Sequence, residues 1–188
     1  WFNRRDQRNE GGAVFVGYNP DRLNPGYHQY GDLRLKAALE RGFVCCFQLG
    51  WPDQGIVRRI GHRRLKRYWR YLIARYAAYN ISYSIFGEVQ EFGSNYLSIA
   101  TDYANLTRKW DPYDHLLSTH TAGNLSAAFC KQPWLDYIIL QRSTARTSDY
   151  LKYGKPVVNE EYGGYEGLQI NAEQLRPLVW DVRMRGGY

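Results

Sequence analysis

The chain has 188 residues, of which 44% are hydrophobic and 16% aromatic, and its formal net charge is +7. This length and composition predict one folded domain with a sizeable core and exclude a disordered tail. Apolar runs stay well short of the roughly 18 to 20 residues that a membrane-spanning helix requires, so no membrane partner is expected.

The first third of the chain predicts a loop, a helix and a strand. Residues 1–31 are rich in Asn, Gly, Pro, Arg and Tyr, which is typical of a long loop region. A helix is predicted over 32–41, ended by a glycine, and an apolar strand over 43–49. Cys45 and Cys46 are adjacent and Cys130 is distant, so we expect small buried hydrophobic residues rather than a disulfide or metal site.

The next segment is strongly basic. Between Arg58 and Arg75 there are eight Lys or Arg residues and no acid, which would suit nucleic acid or an acidic glycan. An ordinary amphipathic helix is favoured, because an apolar stripe recurs at spacings of three and four. The stripe is Leu65, Trp69, Leu72, Tyr76 and Tyr79. The residues predicted to be exposed, away from any cleft, are Arg63, Arg64, Lys66, Arg67 and Arg70.

The rest of the chain alternates strands and helices. Strands are predicted over 81–87, 116–119, 136–140 and 156–159, and helices over 95–110, 148–153 and 171–187, with Pro177 near the first turn of the last. With the strand over 43–49, five strands are apolar on both faces, which is typical of parallel strands joined by crossover helices. A doubly wound sheet and an eight-stranded barrel both fit this order.

Polar and aromatic residues at the strand ends separate these two folds. Each predicted strand is followed by such a group: Trp51, Glu88, His120, Gln141 with Arg142, and Glu160 with Glu161. In a (β/α)8 barrel these ends converge on one mouth, where the active sites of barrel enzymes lie. A doubly wound sheet would need a phosphate-binding glycine loop, and the sequence has none. The barrel is therefore the predicted fold.

Two of these strand-end acids suit glycosidic-bond cleavage. Glu88 and Glu161 end different strands, and carboxyl groups that face each other across a sugar can act as acid and nucleophile. Trp51, Tyr162 and Tyr165 would suit the apolar faces of sugars. The alternative for each acid is an ion pair with one of the arginines at the rim. In a regular strand only one of Glu160 and Glu161 can face the mouth. We choose Glu161, because the glycines that follow it let the backbone turn sharply beside a bound sugar ring.

Several segments resemble those of the clan A glycoside hydrolases, and more closely the apiosidase-like, collagenase-linked branch. The matching segments are YHQYGDLRLKAALERGFVCCFQLGWP, YLIARYAAYNISYSIFGE, LLSTHTAG, LDYIILQRS, KPVVNEEYGGYEG and VWDVRMRGGY. They cover nearly the whole chain from about residue 27 onward, in the same order.

The resemblance implies a role for each site residue. Glu88 falls at the acid/base position and Glu161 at the nucleophile position, with Glu160, Glu91 and Glu166 as alternates. The implied sugar-binding residues are Trp51, His120, Gln141, Arg142, Tyr162 and Tyr165. Many members of the clan have Asn directly before the acid/base residue, where this chain has Gly87. Members of the apiosidase-like branch often have Gly at that position too, but their acid/base residue is Asp rather than Glu. No cofactor or metal is implied.

The resemblance also implies how much of a barrel is present. The chain would be the central part of one catalytic (β/α)8 domain, covering strands three to seven, with the remaining strands before Trp1 and after Tyr188. It implies a retaining hydrolase of oligo- or polysaccharides, with an acidic glycan as one candidate substrate, in a secreted or periplasmic location. The alternatives are a non-catalytic glycan-binding barrel and a nucleic-acid-binding protein that uses the basic helix.

Overall fold

The structure is a computed structural model that describes residues 8–52, 56–121, 127–141, 147–161 and 170–188. In chain order the elements are a hairpin of β1 (Arg8–Asn9) and β2 (Gly12–Ala13), then α1 (Pro25–Leu39), β3 (Cys45–Gln48), α2 (Ile56–Tyr76), β4 (Ile81–Ser84), α3 (Tyr96–Trp110), β5 (Leu117–Ser118), α4 (Ala127–Cys130), β6 (Ile138–Gln141), α5 (Thr147–Tyr150), β7 (Val157–Glu161) and α6 (Ala172–Met184). Helices and strands alternate from α1 onward, which confirms the predicted α/β class.

The strands from β3 onward pair in parallel. β3, β4 and β5 form one sheet, in which Cys45 pairs with Ile81 and Tyr83 with Leu117, and β6 pairs with β7. The Asp136 N–H donates to the Leu117 carbonyl over 2.9 Å and joins β5 to the segment before β6. Across the described ranges the sheet is open, because five parallel strands are too few to close an eight-stranded barrel.

The segment predicted as a loop over 1–31 contains more structure than its composition indicated. It holds the β1–β2 hairpin, and α1 begins at Pro25 rather than at residue 32. Asn24 caps this helix by accepting a hydrogen bond from the Gly26 N–H over 3.0 Å, and Pro25 suits the first helical position because no donor is needed there. The sequence conceals the helix because its buried residues are His28 and Leu35 instead of a longer apolar stripe.

The buried face of α2 forms the centre of the core. Leu65, Trp69 and Ile73 have no exposed surface, and the Trp69 indole N–H donates to the Thr107 hydroxyl of α3 over 2.8 Å. A fully buried side chain of this size contributes roughly 1.5 to 3 kcal/mol through the hydrophobic effect. The predicted stripe is confirmed for its helical members, while Tyr79 lies beyond the end of α2 and is half-buried.

Several basic residues of α2 lie on its outer face and are paired with acids. Those predicted to be exposed are exposed or half-exposed: Arg63, Arg64, Lys66, Arg67 and Arg70. Arg64 and Arg67 both contact Asp21, at 2.9 and 2.6 Å, and Lys66 contacts Asp102 of α3 at 2.5 Å. These exposed pairs add little stability, but they interrupt the continuous positive stripe that a nucleic-acid surface would need.

The cysteine prediction holds for Cys130 and is wrong for Cys46. Cys130 is buried, Cys45 is half-buried, and Cys46 is exposed with its Sγ 3.6 Å from the Tyr137 hydroxyl. The reason is that β3 packs only one face against the helices. Cys46 lies on the other face, which the open sheet leaves uncovered.

α6 is the last element described. Its capping box joins the Asn171 side chain to the Gln174 N–H over 2.9 Å and the Gln174 side chain to the Asn171 N–H over 3.0 Å. Pro177 therefore lies in the second turn, later than predicted. Within the described ranges, each helix is either too short or too polar to cross a bilayer.

His28 makes the fold sensitive to acid. Its side chain is 2% exposed, with its ring 4.9 Å from that of Tyr71. Burial and the Arg75 guanidinium lower the pKa of His28 from 6.5 to about 4, while the Asp32 carboxylate opposes the shift. As pH falls, His28 is therefore protonated in the unfolded chain before it is protonated in the folded protein. The free energy of unfolding should drop by up to about 3 kcal/mol between pH 6.5 and about pH 4.

Urea denaturation at about pH 7 and about pH 4.5 measures this loss, with His28→Phe as the test variant. The near-isosteric ring keeps the aromatic packing and cannot be protonated, so the variant should lose less stability on acidification. An equal loss in both proteins would show that another group is responsible.

Candidate active site

Backbone hydrogen bonds align the ends of β3, β4 and β5. The Gly87 N–H donates to the Gly50 carbonyl over 3.0 Å, and the His120 N–H donates to the Phe86 carbonyl over 3.0 Å. The Val89 N–H returns a bond to the His120 carbonyl over 3.2 Å. Parallel pairing thus continues past the strands themselves, and the residues that follow the three strands lie at one edge of the sheet.

Glu88 follows β4 in a strained backbone conformation. Its φ of 46° and ψ of 47° lie in the left-handed region, which costs a residue with a side chain on the order of 1 kcal/mol or more. The paired backbones of Gly87 and Val89 on either side hold it there. Strain of this kind is concentrated at functional sites, so we treat the half-buried Glu88 as a candidate site residue.

A β-bulge determines where the two adjacent glutamates lie. Leu140 pairs with Asn159, but Gln141 pairs with Glu161, so Glu160 is an extra residue on β7. The bulge brings Glu161 to the face of the sheet that Gln141 occupies, whereas strict alternation would give that face to Glu160. The assumption of a regular strand is therefore wrong, while the choice of Glu161 over Glu160 as the site residue stays a prediction.

Three side chains surround Glu161. The Gln141 amide donates a hydrogen bond to the Glu161 carboxylate, and the Asn159 side-chain oxygen accepts one from the Glu161 N–H over 3.1 Å. The His120 Nε2 lies 3.6 Å from the same carboxylate, close enough for electrostatic interaction but too far for a hydrogen bond. These contacts fix Glu161 beside His120.

His120 lies near both candidate acids. It is 7% exposed, and this burial lowers its pKa, while the negative charges of Glu161 and then Glu88 raise it. One imidazole therefore interacts with carboxylates from the ends of β7 and β4. Within the described residues the His120 Nδ1 is buried without a hydrogen-bond partner.

Glu160 has different surroundings. Partial shielding from water raises its pKa, and the Glu161 carboxylate adds to this effect. Burial raises the pKa of the Cys46 thiol and of the Tyr137 hydroxyl, and the nearby negative charge of Glu160 adds to both shifts. Among the described arginines none forms an ion pair with Glu160. Arg142, which follows β6, lies outside the described residues, so an ion pair of Glu160 with an arginine stays a prediction.

The other predicted residues are distributed as follows. Trp51 is half-buried with its indole against Gly87, and Glu91 is exposed on the 3-10 helix Val89–Asn95. Four lie outside the described residues: Arg142, Tyr162, Tyr165 and Glu166. Among the residues that are described, no group of His, Cys, Asp and Glu has the arrangement of metal ligands.

Asn159 is a contact that the sequence analysis missed. It is 5% exposed and holds the backbone of Glu161. A signal for it exists in the sequence: a polar residue inside an apolar strand, two positions before an acid, must find a partner when it is buried.

Comparison with known proteins places this geometry in a family. A family model described as "Apiosidase-like, catalytic domain" matches residues 2–186. The chain belongs to the apiosidase-like family. Searching the curated proteins found no match.

A solved structure supports the fold of this apiosidase-like chain. It is a glycoside hydrolase family 5 protein from Bacteroides vulgatus ATCC 8482, with a TM-score of 0.77 and 21% sequence identity. The match covers 98% of this chain and 48% of the other, so this chain spans about half the length of that protein. Together with the family match, it relates the chain to the clan A glycoside hydrolases, as the sequence motifs predicted.

The position of His120 between two carboxylates predicts how its titration should respond to mutation. Removing a negative charge next to a histidine lowers its pKa further. Glu161→Gln should therefore lower the pKa of His120, and Glu88→Gln should lower it by a smaller amount, in an NMR titration of the histidine ring signals of the full-length protein.

Glu173→Gln, on the exposed first turn of α6, is the matched control and should leave His120 unchanged. Were the His120 pKa the same in all three variants, the two acids would not share this imidazole.

Proposed function

We propose that this protein hydrolyses a glycosidic bond in an oligo- or polysaccharide by a retaining two-carboxylate mechanism. The observation that supports it best is the placement of both acids around His120: the Glu161 carboxylate lies 3.6 Å from His120 Nε2, and Glu88 precedes Val89, whose N–H bonds to the His120 carbonyl over 3.2 Å. Two carboxyl groups placed around one site are the minimal machinery for this reaction.

Each acid has one role in each step. Glu161 attacks the anomeric carbon while Glu88 donates a proton to the leaving oxygen, which leaves the sugar esterified to Glu161. Glu88 then removes a proton from water, the water oxygen attacks the anomeric carbon, and the Glu161 carboxylate departs. Atoms and charge balance over the two steps.

The surrounding polar groups suit Glu161 for the nucleophilic role. The Gln141 amide orients the carboxylate, and the lowered pKa keeps His120 neutral at physiological pH. A neutral imidazole forms no strong ion pair with the carboxylate, and such a pair would weaken it as a nucleophile.

We propose further that β3 to β7 are strands three to seven of one catalytic (β/α)8 barrel. The parallel order and the likeness to a chain about twice as long support this. The backbone of Tyr188 also bonds to Val157 and Asn159 over 2.9 Å each, so β7 accepts a further partner on its free edge. Glu88 and Glu161 would then follow strands four and seven at the catalytic end.

The charges at the site favour a neutral sugar at the bond that is cleaved. Glu88 and Glu161 bring two carboxylates to the site, and no described Lys or Arg forms an ion pair with either of them. A uronate in the same place would be repelled. A carbohydrate partner and a secreted or periplasmic location complete the proposal, both supported by the family resemblance.

Three glutamine variants test the roles. Glu161→Gln should abolish nearly all turnover while keeping substrate binding, because the side chain keeps its shape and loses its nucleophilicity. Glu88→Gln should slow turnover by about 10² to 10⁴-fold, the usual value of general acid–base catalysis. Release of reducing sugar from a panel of neutral and acidic polysaccharides by the full-length protein measures both effects.

Glu160→Gln is the matched control. It should keep turnover, because Glu160 takes part in neither step of the proposed mechanism. Loss of turnover in Glu160→Gln but not in Glu161→Gln would reverse the assignment. Binding to a polysaccharide without any turnover in the wild-type protein would identify a non-catalytic glycan-binding barrel.

A further inference from the structure

Gly87 and Trp51 are in unusually close contact beside Glu88. A Cβ atom added to Gly87 would lie 2.7 Å from Nε1 and 2.8 Å from Cδ2 of the Trp51 indole, and closer still to Cε2 between them. Three bonded ring atoms at nearly equal distance mean that the Cβ direction meets the face of the indole. Separations below 3.0 Å are essentially never seen for a real Cβ, so only glycine fits this position.

The contact is maintained by the backbone. The Gly87 N–H donates to the Gly50 carbonyl over 3.0 Å, which holds the residue before Trp51 against the residue before Glu88. Gly50 itself has a φ of 148°, a backbone conformation that residues with a side chain rarely adopt. The indole is thus fixed against Gly87, just past the end of β4. Gly87 directly precedes the candidate acid Glu88, and the Cα atoms of consecutive residues are about 3.8 Å apart.

Burial shows that part of the indole is available to a ligand. Gly87 is buried, whereas Trp51 is half-buried, so the ring covers Gly87 with one side and retains exposed surface. An exposed aromatic surface next to a catalytic acid suits the C–H face of a sugar ring, which is apolar, and offers no charged group to a uronate. A side chain at position 87 would occupy the place that the indole takes.

We propose that Gly87 is a specificity-determining residue: by having no side chain, it lets the Trp51 indole form the wall of the sugar subsite next to Glu88. This subsite takes a neutral glycosyl unit by its C–H face. The inference rests on the proposed hydrolase function and adds to it the residue that shapes the subsite.

A double-mutant cycle separates this role from a purely structural one. Trp51→Ala should weaken binding of a neutral oligosaccharide about tenfold or more, as expected for the loss of a large aromatic contact. Gly87→Ala should weaken binding to a similar extent, because its methyl group displaces the indole. In the Trp51→Ala protein, the added Gly87→Ala change should have no further effect, because the methyl group then has space.

Binding is measured calorimetrically with full-length Glu161→Gln protein, so that no probe is consumed. The probes are hexasaccharides of β-1,4-glucan, β-1,4-galactan and β-1,4-xylan, with tri-galacturonate as the acidic comparison. Gly31→Ala is the matched control, since a Cβ there would be 3.6 Å from the Tyr76 hydroxyl, an ordinary contact. It should leave binding unchanged.

The outcomes distinguish the inference from the proposed function. The inference would be overturned if the Gly87→Ala protein bound the neutral probes as well as the parent protein does. It would also be overturned if Gly87→Ala weakened binding as much in the Trp51→Ala protein as in the parent protein. Hydrolysis by the wild-type protein would stand in both cases. Preferential binding of tri-galacturonate would also overturn it. Absence of both binding and hydrolysis for all four probes and for the polysaccharide panel would overturn the function together with the inference.

Discussion

The hydrogen bonds that continue past the ends of β3, β4 and β5 are the constraint on which the candidate site depends. Parallel strands deliver their carboxyl ends to one edge, and here the pairing of Gly87 with Gly50 and of His120 with Phe86 fixes the register of the loops as well. Trp51 and Glu88 are therefore held by backbone geometry rather than by their own side-chain contacts. The same pairing sustains the left-handed backbone of Glu88, which an isolated loop would relax.

The charged groups of the molecule fall into two sets: ion pairs on the outer helices, and carboxylates at the ends of the strands. Cations of α2 meet acids in the loop before α1 and on α3, as in the pairs of Arg64 and Arg67 with Asp21. The carboxylates at the strand ends meet neutral partners instead, chiefly Gln141 and His120. The positive net charge is thus a property of the outer helices, and it says little about the ligand of the strand-end site. This separation is what makes a neutral sugar the better fit.

The sequence predicted the features that follow from periodicity and missed those that depend on local backbone geometry. The apolar stripe around Trp69 identified the buried face of α2, and the repeated polar groups after apolar strands located the site edge. The bulge at Glu160 could not be foreseen, because a register shift depends on how β7 pairs with β6 and leaves no mark in alternation. The early start of α1 was hidden for a different reason, since a buried His28 resembles a polar surface residue.

The central claim is that Glu161 forms a covalent bond to the sugar with Glu88 as its partner. The most direct measurement is mass spectrometry of the full-length protein after reaction with a 2-deoxy-2-fluoro glycoside that has an activated leaving group, prepared for the sugar that the protein cleaves. Because the covalent intermediate would be hydrolysed slowly, one glycosyl unit should remain on the peptide that contains Glu161. Fragmentation of that peptide in the mass spectrometer should assign the label to Glu161. A label on Glu160, or a protein that stays unlabelled while it hydrolyses its substrate with inversion, would contradict the account.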